Sequence, residues 1–515
     1  MAAQQTPEGD ATGATPQLTL KEHYHKRVAH TSGRVGWLTA EQEAKLRELW
    51  ALLLEEFERN ERLPVVYSLA QTAGEGGGGD HEASDITALS FEPLETLGSA
   101  PRKRNEPPTP SSGSGWLPRW PAAASRSKPA TPVPESESPP AAARTATPDS
   151  APAEAESEAE SAEPEDEEDS RRRLETVQAY ATRTQPESDP IVPVAFVPLF
   201  GEAAGERTQR AAFWQAATQT GDADSWVLRY LRARAWDVAA ALAMIRRTLV
   251  WRTAQAIDEI AHYGEAQLHA HTMRAGLAYA CTSDNLDNPV YVVRVRINEA
   301  RHRSVAAIKR FLCWQIETAQ LLAVGRADGR VTILFDLAGF SRDNIDLALV
   351  RTLITLLTNY YPETLGILIL HVNSWVFSGL WALIAPFIDP AVKAKIVMAK
   401  SAADIAPFIA RDRLVAEVGG AKPFDYDYVL PTAEENRRMA DAAARSAAEA
   451  AFVAAVADYE AATRRWLDAA DSAEEERVRA RDALRSAAAD LDPFVRARTL
   501  YHRLGFIRAD RSVQF

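Results

Sequence analysis

The side chains with the most chemical potential in this sequence are a few histidines and cysteines, and their spacing argues against catalysis. His269 and His271 stand two residues apart. On a strand they would face opposite ways, and on a helix they would lie about 200° apart, so the pair by itself is no metal-ligand set. His371 falls inside an apolar run and reads as a satisfied core histidine. The two cysteines, Cys281 and Cys313, lack the paired spacing of a zinc site and cannot build a disulfide framework, which points to a reducing compartment. There is no Gly-x-Ser-x-Gly elbow, His-Glu-x-x-His, Walker loop or dinucleotide fingerprint. The glycine run Gly74–Gly79 has no strand before it and no Lys-Ser/Thr after it, so it is no phosphate cradle. The expectation is a protein that is not an enzyme and needs no cofactor or metal.

One segment carries chemistry of another kind. Val376–Ile388 is apolar on every helical face. Such a helix is either buried in a core or forms a lid over an apolar cavity that meets a membrane when open. Gly379 and Pro386 would let it bend, and Lys393 and Lys395 follow the Asp389-Pro390 turn. A cation beside an apolar lid suits a phospholipid, whose phosphate stays at the mouth while its tails are buried.

The elements that must position these residues follow from composition and period. The chain has 515 residues, 46% apolar and 25% charged, with net charge −13. Ten of the acidic residues lie in 151–170, so the rest is nearly balanced and no nucleic-acid partner is indicated. Residues 101–170 hold 14 of the 30 prolines. The stretch 70–205 therefore reads as a disordered Pro/Ser/acidic insert, and 1–36 as flexible. No signal peptide is visible, and no uncharged apolar run approaches the roughly 20 residues a spanning helix needs.

In 37–69, Thr39 and Gln42 have capping-box spacing, and Leu46, Leu49, Leu53 and Phe57 form an apolar face. That helix needs a partner. In 206–262, Asp222 or Asp224 can cap one helix, and Asp237 another bearing Leu242, Ile245 and Leu249. Across 263–430, strand-like runs at Pro289–Ile297, Val331–Asp336, Ile367–Asn373 and Ala394–Met398 alternate with helical runs at Val305–Val324, Asn344–Tyr360 and Val376–Ile388. This alternation predicts an α/β lobe with a mostly parallel sheet. Within 431–515, Phe452, Val456, Tyr459 and Trp466 fall near one face of a long helix or hairpin over about 433–490. That face would pack in cis or pair with a protein partner.

The motifs together resemble the CRAL-TRIO lipid-binding family. Trp226–Arg252 is similar to its helical N-terminal part. Pro289-Val-Tyr-Val, Phe335-Asp-Leu-Ala-Gly-Phe, Asn359-Tyr-Tyr-Pro-Glu363, the Phe377–Lys395 segment and Gly419-Gly420 match its lipid-binding lobe in order. Within that family the chain resembles the fungal phosphatidylinositol transfer proteins. The resemblance implies a lobe enclosing an apolar pocket behind a gate helix, here Phe377, Leu380, Trp381, Ile384 and Phe387. It implies transfer of phosphatidylinositol between membranes by lipid exchange, with Arg234, Glu363 and Lys395 at the headgroup. The expected setting is the cytoplasm, peripherally on phospholipid membranes such as endoplasmic reticulum. Two departures bear on the ligand. Val392 stands where the family often has Thr or Ser, and Val331 and Ile333 stand where choline-lipid binders have Ser or Thr. A neutral apolar lipid is the alternative cargo, and a lipid-sensing adaptor acting through the insert and C-terminal helix the alternative role.

Overall fold

The computed structural model describes residues 34–63, 194–202, 206–219, 221–298, 304–326, 329–341, 346–372, 390–432 and 434–515, with 344, 381, 385 and 388 as single positions. The glycine run, the proline-rich stretch, most of the 1–36 segment and four of the five gate positions (Phe377, Leu380, Ile384, Phe387) lie outside the described residues.

Helix α1 (Ala40–Arg59) starts at Thr39 through a closed capping box. Gln42 N–H donates to Thr39 Oγ1 at 3.2 Å, and Thr39 N–H donates to Gln42 Oε1 at 3.1 Å. Its face of Leu46, Leu49, Leu53 and Phe57 is buried. The partners it required come from α2 (Gln209–Gln219), α3 (Ala223–Ala233) and α4 (Val238–Ala254). Main-chain bonds join the segment that follows α1 to the one that leads into α2: Leu63 N–H donates to the Arg207 carbonyl at 2.7 Å, and Gln209 N–H to that of Glu61 at 3.0 Å, while Leu199 is already buried in the same core. These bonds form a short antiparallel bridge, Arg62 opposite Thr208. Of the two capping candidates, Asp222 caps α3, accepting from Asp224 N–H at 2.9 Å. Asp237 caps α4, accepting from Ala240 N–H at 2.9 Å.

After α5 (Ile257–Tyr263) comes a five-stranded sheet in the order β1 (Ala278–Ser283), β2 (Pro289–Arg294), β3 (Val331–Asp336), β4 (Leu365–His371), β5 (Ile396–Ala399). Strands β2 to β5 are mutually parallel, and β1 is antiparallel to β2. Strand β1, Ala-Tyr-Ala-Cys-Thr-Ser, is poor in β-branched residues and is not marked by pattern; it forms because the turn at Asp284–Asn288 folds it onto β2. Asp284 accepts from the N–H groups of Leu286 and Asn288, each at 2.8 Å, and from Thr332 Oγ1 at 2.7 Å. Two helices cross the sheet, α6 (Val305–Leu322) and α7 (Leu347–Thr355). The latter begins three residues later than its hydrophobic pattern suggests, at its cap Asp346, and continues as a single π-turn over Leu356–Tyr360.

The C-terminal alanine-rich run is a hairpin of two helices, α8 (Ala442–Asp468) and α9 (Ala470–Val495), broken at Ala469. It extends past 490 and through Pro493. Phe452, Val456, Tyr459 and Trp466 are buried in one core with Leu49 and Trp50 of α1, Trp214 of α2 and Leu228 of α3. The apolar face is therefore covered in cis. The chain then returns to the lobe, where Leu500 and Tyr501 are buried. Among the described residues, no helix is long and apolar enough to cross a membrane.

Candidate functional site

The lobe encloses a cavity of about 240 Å³ whose wall is overwhelmingly apolar. Strand alternation explains which residues reach it. Val331, Ile333 and Phe335 project from one face of β3, and Leu368 and Leu370 project beside them from β4. Ile333 and Phe335 keep partial exposure on a central strand because they face this space, whereas Leu334, on the other face, is fully buried. Helix α6 closes one side with Phe311 and Ile316, and α7 another with Leu349 and Leu353. Ile388, Val392 and Ile396 also line the cavity. Of the five gate positions only Trp381 is described. It is half-buried against the cluster of Leu337, Phe340 and Leu370, which itself lines the cavity. Val331, Ile333 and Val392, the positions where the family pattern would have hydroxyls, all face the cavity as hydrocarbon.

At one end of this cavity lies an ionic cluster. Parallel strands put their starts on one sheet edge, and the three residues come from those starts. Arg330 immediately precedes β3, Glu363 precedes β4 by two residues, and Lys395 immediately precedes β5. The next residues in each strand, Val331, Leu365 and Ile396, line the cavity, so charge and hydrocarbon meet there. Glu363 is salt-bridged to Arg330, with Lys395 Nζ at 3.5 Å and Arg232 Nε at 3.8 Å. Lys395 Nζ also donates to the Leu365 carbonyl at 3.1 Å. Arg229 extends the cluster, donating to Thr364 Oγ1 at 3.2 Å and to the Gly329 carbonyl at 2.7 Å.

The neighbouring segment is built to hold Glu363. Trp251 of α4 stacks on Tyr360, with ring centroids 4.2 Å apart and planes 12° from parallel. Tyr361 donates to Glu317 Oε1 at 2.7 Å, inside a buried network in which Arg252 bridges Glu317 and Asp258, and Arg207 also meets Asp258. Glu363 itself has φ of +57°, a left-handed conformation that a non-glycine residue adopts only where its surroundings impose it. Burial pushes its carboxyl pKa up, but Arg330, Lys395 and Arg232 outweigh that and hold it at about 2. Arg232 is pulled down to about 10, first by burial and then by the nearby cations Arg330 and Arg229, against the attraction of Glu363. Several cations crowd one carboxylate, an arrangement that favours a further negative charge.

Sequence reading names Glu363 and Lys395, and the structure brings these two together. Arg234 sits at the C-terminal end of α3, two residues from Arg232, with its backbone N–H on the carbonyls of Tyr230 and Leu231. Arg232 and Arg330 are the arginines seen on Glu363, and sequence reading missed both. The available signal was positional: Arg330 directly precedes a buried strand, and Arg232 belongs to the same Leu-Arg-Ala-Arg motif as Arg234. His269 caps a short helix, Ala270–Ala275, and His371 Nδ1 lies 3.4 Å from Asp336 at the opposite sheet edge. No group of His, Cys, Asp or Glu among the described residues is arranged to hold a metal ion.

Comparison with known proteins gives consistent matches. A CRAL/TRIO domain matches residues 273–420, and a CRAL/TRIO N-terminal domain matches residues 173–247. A CRAL-TRIO domain-containing protein of Schizosaccharomyces pombe is 32% identical over 311 residues, covering 59% of this chain and 70% of that protein. The phosphatidylinositol transfer protein CSR1 of Eremothecium gossypii is 30% identical, covering 55% of this chain and 68% of that protein. The SEC14 cytosolic factor of the same organism is 34% identical, over 38% of this chain and 67% of that protein.

Proposed function

The chain belongs to the CRAL-TRIO lipid-binding family, and on that premise we propose that it transfers phosphatidylinositol between membranes by exchanging a single lipid. The observation that carries this reading is the contact between the apolar cavity and the cationic corner around Glu363. Acyl chains would fill the space between the sheet and helices α6 and α7. The phosphodiester would lie against Lys395 and Arg232, and Glu363 would accept hydrogen bonds from inositol hydroxyls while holding the cations in place. Arg234, next to Arg232 in the same helix end, would support the cluster. The segment containing Phe377, Leu380, Trp381, Ile384 and Phe387 would serve as the gate, opening where it meets the bilayer. A protein working this way acts in the cytoplasm, docks peripherally on phospholipid membranes and needs no catalytic group.

The lining favours a second cargo without a phosphocholine headgroup. Val331 and Ile333 present only hydrocarbon where a choline phospholipid would need hydroxyl donors, so the exchange partner would be a neutral apolar lipid.

Mass spectrometry of lipids extracted from the purified full chain tests both statements. The expected result is near-stoichiometric phosphatidylinositol, with a neutral lipid as the competing species. Transfer assays on Lys395→Gln and Glu363→Gln should then show at least a tenfold loss with the fold retained. Undiminished phosphatidylinositol transfer in both variants would overturn the headgroup assignment.

A further inference from the structure

A second, polar cavity of about 350 Å³ lies outside the lipid site, beside the β1–β2 turn. Four segments meet there. The end of β1 supplies Thr282 and Ser283, and the turn after it supplies Asp287. The loop after α6 supplies Arg326, the segment before and after the Gly419-Gly420 pair supplies Arg413 and Lys422, and the final residues Val513–Phe515 close the far wall.

Each segment is held by the backbone, so the cavity is formed in advance of any ligand. Arg326 donates to the Asp287 carbonyl at 2.6 Å, pairs with the Asp287 carboxylate, and donates to the Val513 carbonyl at 3.0 Å. Arg413 donates to the Asp284 carbonyl at 2.7 Å through one terminal nitrogen. Lys422 is placed by main-chain bonds: its N–H donates to the Leu414 carbonyl at 2.9 Å, and its carbonyl accepts from Ala416 at 3.0 Å. The reversal that brings Lys422 back beside Arg413 needs its glycines. Gly419 has φ of +83°, and a Cβ on Gly420 would sit 1.9 Å from the Leu414 carbonyl oxygen.

The charges do not balance. Asp287 is matched by Arg326, and neither Arg413 nor Lys422 has an ion-pair partner among the described residues. Arg413 and Lys422 thus line one concavity with Thr282 and Ser283, in a chain whose net charge is −13. Cations gathered this way on fixed backbone are suited to a doubly charged, oxygen-rich anion. We propose that this cavity binds a phosphate monoester or pyrophosphate group through Arg413 and Lys422, with Arg326, Thr282 and Ser283 completing the contacts. The site is separate from the Glu363 cluster and does not depend on the lipid cargo. The phosphate can belong to a soluble compound or to the headgroup of a membrane lipid.

The test uses the full chain. Inorganic pyrophosphate is titrated in by calorimetry. Co-sedimentation is measured with vesicles of phosphatidylcholine alone and with added phosphatidylinositol 4-phosphate. In the wild type, saturable binding to pyrophosphate assigns a soluble ligand, and binding only to the phosphoinositide vesicles assigns a headgroup. In either case Arg413→Gln/Lys422→Gln should weaken that binding at least tenfold, since both charge-assisted contacts to the phosphate are lost. Phosphatidylinositol transfer should be unchanged in the same variant. Lys422→Ala alone removes no hydrogen bond from the fold and should weaken binding about tenfold, which keeps the test decisive if the double variant is unstable. Lys395→Gln should leave pyrophosphate binding intact. The proposal fails if the wild type binds neither probe, if the Arg413 and Lys422 variants bind as well as the wild type, or if only Lys395→Gln loses binding.

Discussion

Arg477 of α9 grips Asp224 of α3 with both ends of its guanidinium, Nη1 to Oδ2 at 2.8 Å and Nη2 to Oδ1 at 2.6 Å, although 253 residues separate them. Both side chains are buried. Trp50 of α1 donates to the same carboxylate at 2.7 Å, and Tyr459 of α8 lies 3.1 Å from it. Arg477 also lies over the Trp466 ring, 4.2 Å from its centroid. This buried ion pair, together with Arg210–Glu460 and Arg464–Glu58, ties the C-terminal hairpin to the helices that precede the lobe.

This pair makes a sharp stability prediction. Arg477→Ala leaves a buried carboxylate uncompensated and should cost about 3–5 kcal/mol in denaturant unfolding. Arg477→Met combined with Asp224→Leu should cost clearly less than the single change, because no orphan charge remains. Equal losses in the two proteins would show that the pair's electrostatics do not govern the docking.

The Glu363 cluster has a signature in acid. The carboxyl titrates near 2 in the folded protein against an ordinary 4.5. A depressed folded pKa means the stabilisation is complete above about 4.5 and is lost as pH falls from there toward 2. At neutral pH it amounts to on the order of 3 kcal/mol. Glu363→Gln should therefore be less stable than wild type at pH 7, and the gap should narrow steadily below pH 4.5. A gap independent of pH would contradict this assignment.

The two thiols should be silent. Burial pushes Cys281 and Cys313 up to about 12, leaving almost no thiolate at neutral pH. Reaction with a disulfide reagent should be slow in the native protein and complete in seconds once it is unfolded in denaturant. Rapid native labelling of either residue would show that the lobe opens around it.

The cavity lining can be re-addressed. Val331→Ser with Ile333→Thr places two hydroxyls on the cavity face of β3. Lipid extracted from this variant should contain phosphatidylcholine at several times the wild-type fraction. An unchanged lipid profile would mean that the β3 positions do not select the headgroup.

Gly420 offers a check on the loop behind Lys422. A Cβ there meets the backbone at Leu414, which cannot move aside as a side-chain end would. Gly420→Ala should lower stability by about 2 kcal/mol or more and impair binding of pyrophosphate along with it.

Much was legible in the sequence, because it depended on neighbours along the chain. The capping box of α1 needs only Thr39 and Gln42 at the right spacing, and strand β3 matches its β-branched run residue for residue, Val331–Asp336. The apolar face of α8 was equally plain, since helical period alone lines up Phe452, Val456, Tyr459 and Trp466. Pattern could not say what covers that face. Only the folded chain shows that α1, α2 and α3 do so, fastened by Asp224 and Arg477. The same division holds at the lipid site. The resemblance to CRAL-TRIO motifs pointed to Glu363 and Lys395, and the departures from those motifs to hydrocarbon at Val331, Ile333 and Val392. The arginines that hold Glu363 were decided by the tertiary structure. Arg330 reaches Glu363 because parallel strands begin on a common edge, and Arg232 because α3 ends over that edge. Local sequence fixes period, caps and turns through interactions a few residues long. Which charges meet is set by long-range packing, which those short patterns do not encode.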